Sequence, residues 1–280
     1  MKSTSVCPEW IAHSEFNRAH LGSAELLRLD LGIFSLHLIL TALFLAVPLG
    51  AMREAFERMR ESLPQAALIT DGGSAKGSVV EDCRRAAPEL LPRFIPGHPI
   101  AGTEKNGVEA SFAELYRQRR VILTPLAENA PQSVAVVRRM WEACGAEVTE
   151  MSVVHHDEVL AATSHLPNML AFGLVDMLAR MKENDEIFRY AAGGFRDFTR
   201  IAASDPVMWR DVFLTNKAAT LEILGRFTEE LFALQRAIRT GDGERLFDYF
   251  THTRAIRRGI IEAGQDTDAP NFGRAPGRKE

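Results

Sequence analysis

The chain has 280 residues, 46% of them apolar and 25% charged, with a net charge of −4. That is the balance of a soluble globular protein, one large domain or two ordinary ones, long enough to bury a real core. The charge and the lack of a long basic run speak against a nucleic-acid partner; three scattered cysteines with no CxxC speak against a zinc ribbon or disulfide framework and fit a reducing cytoplasm.

Residues 1 to about 30 show no clear period, apart from a helical trace at Ser23–Leu27 with Ser23 as candidate cap. Leu31 to Val47 is nearly all apolar, broken by Ser35, His37 and Thr41. A membrane span needs about 20 such residues. This run is shorter, holds a histidine and lacks a basic flank, and it makes a poor signal peptide. The favoured reading is a helix or strand followed by a buried parallel strand, Leu43 to Val47, ending at Pro48.

Regular alternation follows. A helix is expected from Ala51 to Leu63, with Met52, Phe56 and Met59 on one face. Ala67 to Thr70 reads as a buried strand, Asp71 to Gly77 as a glycine-rich loop, and Ser78 as the cap of a helix reaching Arg85. Phe94-Ile95 reads as a short strand, Arg120 to Thr124 as another. Pro131 opens a helix whose face carries Val134, Val137, Trp141 and Cys144, and Gly145 stops it. Ala146 to Thr149 is the last strand. Strands alternating with helices predict a mostly parallel sheet covered by helices.

From about Ser152 no strand candidate recurs. Val159 to Met181 is a long apolar helix pattern with Pro167 inside it, where a kink should free carbonyls beside His165. Leu221 to Ile238 marks another long helix, and Leu246, Phe250 and Ile260 one more. Their apolar stripes suit either a domain core or a dimer interface. Gln265 to Glu280 lacks periodicity and reads as a disordered tail. The expected domains are 1–151, α/β; 152–263, all-helical; and 264–280, tail.

Four polar clusters stand out. Asp71 to Gly77 offers backbone N–H groups that could approach a phosphate or ring, or it is an ordinary strand-to-helix turn. Gly97-His98-Pro99-Ile100-Ala101-Gly102-Thr103-Glu104-Lys105 sets an imidazole, a hydroxyl, a carboxylate and an ammonium in what reads as a loop. His98 there is either a proton acceptor near neutral pH or a solvated surface residue. The third, Thr163 to Asn168, centres on His165, a site group or a hydrogen-bonded core histidine. His155-His156-Asp157 invites a metal reading, which we set aside for want of a third ligand at helical spacing. The fourth runs from Gly193 through Trp209-Arg210-Asp211. Arg196 and Arg200 share a helix face, fit to clamp a dicarboxylate or to pair with Asp197 and Asp211.

At these residues the sequence resembles the prephenate dehydrogenases, with their arogenate and cyclohexadienyl relatives. The matching stretches are Ala46 to Met52, Thr70 to Gly77, Gly97 through Gly107, Ser164 to Pro167, and Gly193 through Trp209. The resemblance implies a Rossmann-type nucleotide domain, an all-helical dimerisation domain and an active site served by both. It implies NAD or NADP as cofactor, prephenate or arogenate as substrate, a cytoplasmic homodimer, and no metal. It implies His98 as the catalytic histidine, with Ser74 orienting either that imidazole or the substrate hydroxyl. Arg200 would hold a substrate carboxylate, with Arg196, His165, Gly193 and Trp209 also on the substrate side and Thr103 and Glu104 lining the same loop as His98. Val47, Pro48, Gly73 and Ser74 would meet the cofactor.

One part of the pattern is missing. Such a domain should begin with strand, GxGxxG and helix, then an acidic residue about 20 positions on. Before Phe44 the only glycines are Gly22 and Gly32, in the wrong contexts. A shifted frame, a wrong start or a truncation would account for this, and the nucleotide domain is expected to be incomplete before residue 44.

Overall fold

The computed structural model describes residues 42–101, 112–182 and 184–263. The expectations for residues 1–41, for Thr103 and Glu104, and for the tail from 264 fall outside the described residues. The described chain forms two compact units. One runs up to Leu170 and includes Ile201–Thr220; the other comprises Ala171–Arg200 and the segment from Leu221 on.

The first unit opens with β1 (Ala42–Leu45), a 3-10 turn (Leu49–Ala51) and α1 (Met52–Met59). It continues with β2 (Leu68–Asp71), α2 (Lys76–Ala86), β3 (Gly97–Pro99), β4 (Arg120–Leu123), α3 (Pro131–Ala143) and β5 (Glu147–Glu150). β1 and β2 pair in parallel, as do β4 and β5, whereas β3 runs antiparallel to β4, with His98 opposite Ile122. The core confirms the period read from the sequence: Val134, Val137 and Trp141 of α3 are buried against Ile95, Val121 and Leu123. Phe44 and Tyr116 each meet the Trp141 ring edge-on at 5.1 Å. Each such apolar side chain contributes about 1.5–3 kcal/mol on burial. Gly145 ends the helix turn with φ +82°, a conformation that disfavours any other residue.

Three local expectations are corrected. Gly97-His98-Pro99 is a strand, not a loop, and Phe94 makes only an isolated bridge to Ile69. The glycine signals close packing here rather than a turn: a Cβ on Gly97 would lie 2.9 Å from Thr70 Oγ1. Ser78 does not cap α2, which starts two residues earlier; its hydroxyl donates to Ala75 O, and the cap comes from Asp157, distant in sequence. The helical pattern near Pro167 is three pieces, α4 (Val153–Leu160), a π-turn (Ala161–His165) and α5 (Leu166–Ala179). Proline lacks an N–H and clashes with the carbonyl four residues back, and widening the preceding turn relieves both. The carbonyl of Ser164 is taken by Asn168 Nδ2 at 3.0 Å. Ser152 caps α4 by accepting from His155 N.

α8 (Pro206–Thr215), capped by Asp205 on Met208 N, completes the first unit. The second unit holds α6 (Asn184–Arg189), α7 (Gly193–Thr199), α9 (Lys217–Thr240, from Leu221 on) and α10 (Gly243–Glu262). α10 buries none of its residues, and Leu221, Leu231, Ile238, Phe247 and Phe250 are all exposed. Among the described residues nothing covers these stripes, and apolar surface on this scale is the mark of a partner-facing side. No helix among the described residues is long and apolar enough to cross a membrane.

Candidate active site

The site is built on one buried ion pair. Asp71 ends β2 and Lys76 starts α2, and both are fully buried. The Lys76 ammonium pairs with the Asp71 carboxylate and donates to Gly97 O at 2.6 Å. Asp71 also accepts from the N–H groups of Gly73 (2.8 Å) and Gly97 (3.0 Å). Two charges and two peptide groups thus clip β2, the glycine loop and β3 together, and His98 follows directly on that clip. Burial pulls the Lys76 pKa below its usual value, against the opposing pull of Asp71.

A second layer holds the imidazole. His98 Nδ1 lies 2.9 Å from His156 Nε2, and His156 Nδ1 lies 2.8 Å from Asp157 Oδ1. Asp157 accepts from both Lys76 N and Gly77 N at 2.8 Å, so it caps α2 from another helix. A Cβ on Gly77 would sit 2.8 Å from Asp157 Oδ2, so a larger residue there would push the Asp157 carboxylate off the helix start. Asn216, after α8, donates from Nδ2 to Asp157 O at 2.8 Å and lies 3.2 Å from His165 Nδ1. The Trp209 ring stands edge-on to His165 at 6.2 Å, and its buried indole N–H has no hydrogen-bond partner among the described residues.

Three buried imidazoles stay neutral here. Burial, then the Lys76 ammonium, holds His98 well below its ordinary value. His156 is also lowered, chiefly by burial and against its bond to Asp157, and burial takes His165 down to about 4. Asp157 is held low by His156 and the two α2 N–H groups, which outweigh its own burial. Below pH 6.5 an unfolded histidine binds a proton that the folded one refuses. Stability is therefore full above pH 6.5 and is lost as pH falls toward the folded pKa values, at up to about 1.4 kcal/mol per pH unit for each histidine. The melting temperature is expected to fall steadily between pH 7 and pH 5; a flat Tm across that range would contradict the buried neutral histidines.

His98, His165 and Trp209 lie in the first unit, as do Val47, Pro48, Gly73 and Ser74, which follow the C-terminal ends of β1 and β2. Arg196, Arg200 and Gly193 lie in the second. Arg196 pairs with its neighbour Asp197 at 3.1 Å, while Asp211 is taken by Arg210 at 2.7 Å. In the glycine loop the N–H groups of residues 72, 73, 76 and 77 are spent on Leu45 O, Asp71 and Asp157. The partner of the His98 ring is His156, not Ser74. No group of three or more metal-capable side chains converges among the described residues, and His156 and Asp157 are engaged in hydrogen bonds instead. His156, Asp157, Asn216, Lys76 and Asp71 escaped the sequence reading as site residues. A His-Asp pair in the first turn of a capped helix, and a lysine inside a glycine loop, were the only signals available.

Parallel strands joined by helices, with paired imidazoles buried at a strand edge and helices alone thereafter, define a two-domain α/β and helical protein of the nucleotide-binding class. Family models match accordingly: the prephenate dehydrogenase nucleotide-binding domain over residues 36–150 and the prephenate dehydrogenase dimerization domain over residues 152–252. The cyclohexadienyl dehydrogenase of Zymomonas mobilis is 41% identical over 215 residues, 76% of this chain and 73% of that protein. The prephenate dehydrogenase of Bacillus subtilis is 37% identical over 69% of this chain, which spans about half (52%) of that protein's length. Among solved structures, prephenate dehydrogenase from A. aeolicus in complex with hydroxyphenyl propionate and NAD+ superposes with a TM-score of 0.74 at 41% identity, covering 79% of this chain and 76% of that one. The chain belongs to the prephenate dehydrogenase family.

Proposed function

We propose that the chain catalyses the NAD(P)-dependent oxidative decarboxylation of prephenate to 4-hydroxyphenylpyruvate, with arogenate as the alternative substrate. The observation that carries this reading is His98: an imidazole kept neutral by burial, hydrogen-bonded through Nδ1 to His156, and placed by a strand beside the end of β2. Open α/β sheets bind their ligands at the carboxyl ends of such parallel strands. Val47 and Pro48 after β1 and Gly73 and Ser74 after β2 share that edge, so these residues fit the nicotinamide end of the cofactor. When bound, the nicotinamide supplies the hydride acceptor.

The work left to the protein is to hold a proton and the side-chain carboxylate. As the ring carbinol carbon becomes a carbonyl, its hydroxyl proton passes to His98. The ring C–carboxylate bond then breaks, carbon dioxide leaves, and the electron pair makes the ring aromatic. The phenolate oxygen so formed takes its proton back from His98, and the balance closes. Ser74 is assigned to the same hydroxyl. His165, with Trp209 against it, is assigned to the substrate side. Arg200 and Arg196 are assigned to the side-chain carboxylate, and Thr103 and Glu104, outside the described residues, to the substrate as well. The exposed stripes of α9 and α10 are assigned to a homodimer.

A second reading follows from the absent GxGxxG, whose helix N-terminus normally takes the pyrophosphate: a dimer that binds substrate without cofactor. Thermal shift separates the two. A cofactor at one hundred times its Kd should add about 2.7 kcal/mol of stability, and prephenate with NAD+ or NADP+ should yield the reduced nicotinamide absorbance. No shift and no turnover with either nucleotide would favour the second reading.

A further inference from the structure

We propose that Asp157 is a positioning residue that fixes the two site histidines in opposite proton arrangements, His98 as a hydrogen-bond acceptor at Nε2 and His165 as a donor at Nε2. The proposal deepens the function assigned above and rests on that reading for its kinetic consequence, not for its structural one.

The His98 arm runs through the Asp157 side chain. That carboxylate accepts two backbone N–H groups at the start of α2, an arrangement that keeps it ionised. An ionised carboxylate has no proton to give, so the 2.8 Å bond to His156 Nδ1 must be donated by the imidazole. His156 is wholly buried and neutral, so its one proton is on Nδ1 and its Nε2 carries a lone pair. The 2.9 Å bond between His156 Nε2 and His98 Nδ1 must then be donated by His98. A neutral His98 with its proton on Nδ1 has its lone pair on Nε2, the nitrogen that a substrate hydroxyl requires. When that nitrogen takes up the proton, the new positive charge faces a carboxylate through one intervening ring.

The His165 arm runs through the Asp157 backbone. The Asn216 atom 2.8 Å from Asp157 O must be the amide nitrogen, because a carbonyl only accepts. The same nitrogen lies 3.2 Å from His165 Nδ1 and has a second hydrogen to give. His165 Nδ1 is therefore an acceptor, and its proton sits on Nε2. One residue thus makes one imidazole a base and the other a donor, which is what a reaction needs that takes a proton at one end of a substrate and anchors an oxygen at another.

The test reads proton positions directly. In full-length protein labelled with 15N-histidine at pH 7.5, long-range 1H–15N correlation spectra should place the neutral proton of His98 on Nδ1 and that of His165 on Nε2. The signals are assigned by their loss in His98→Asn and His165→Asn. His156→Leu should move the His98 proton toward Nε2 and lower kcat about 10–10²-fold with KM little changed. His156→Gln, whose carbonyl can accept from His98 while its amide donates to Asp157, should restore the Nδ1–H form and most of kcat. A wild-type His98 protonated on Nε2, or a wild-type His165 protonated on Nδ1, overturns the proposal, as do equal losses in the Leu and Gln variants. The wild-type spectrum decides the matter even if His156→Leu does not fold. Absence of dehydrogenase activity in the wild type would sink the assigned function while leaving this spectrum as the judge of the proton arrangement.

Discussion

Replacing His98 with asparagine is expected to lower kcat by about 10²–10⁴-fold while leaving KM for prephenate within a few-fold. The asparagine amide can still donate to His156 Nε2, so the second layer keeps its partner and the replaced ring leaves no orphaned nitrogen behind. Its other pole is a carbonyl oxygen, which accepts a hydrogen bond but does not take a proton. The loss should therefore fall on the transition state, where the carbinol proton is in flight, and not on ground-state binding. His98 is 8% exposed and sits in a short strand, so the variant also loses some packing. A Tm measured beside the kinetics separates that effect from chemistry. Unchanged kcat in a folded variant would remove His98 from the proton-transfer role.

What the sequence disclosed, and what it hid, follows the range of the forces involved. β1, β2, β4 and α3 were legible because burial selects apolar residues there, and Val134, Val137 and Trp141 repeat with the helical period on α3. His98 itself was legible as a chemical group but not as a strand residue. Its flanking glycine and proline read as turn signals, yet Gly97 is small because Thr70 crowds it. The α2 cap was hidden for a similar reason. Ser78 is a good local candidate, but Asp157, 80 positions away from Gly77, supplies a charged acceptor to two N–H groups at once. Asn216 shows no local signal at all; its role exists only because the end of α8 comes against α4 and the π-turn. The π-turn before His165 was half legible. Pro167 announced a disturbance in the helix, but not that a wider turn would absorb it.

Lys76→Met is expected to destabilise the protein by about 3–5 kcal/mol, the range found when one partner of a buried ion pair is removed. Lysine at a fully buried position runs against the ordinary partition of residues, and it is tolerated here because the Asp71 carboxylate and Gly97 O both meet its ammonium. The methionine would fill the same space but leave the Asp71 carboxylate with two N–H donors and no cation, and Gly97 O without its donor. In a chain of this length that loss should lower Tm by roughly 10 °C. The damage should not stay at the pair. Gly97 is bonded to both members, and His98 is the next residue in β3, so activity should fall further than the population of unfolded protein explains. Adding Asp71→Asn to Lys76→Met removes the stranded charge while keeping an amide oxygen for one of the two N–H groups. The double variant should therefore be more stable than Lys76→Met alone, although it has lost more native groups. Urea melts of the three proteins test this. A single variant within 1 kcal/mol of wild type, or a double variant less stable than the single, would mean that the charge pair does not hold β2 to β3 in the way the geometry requires.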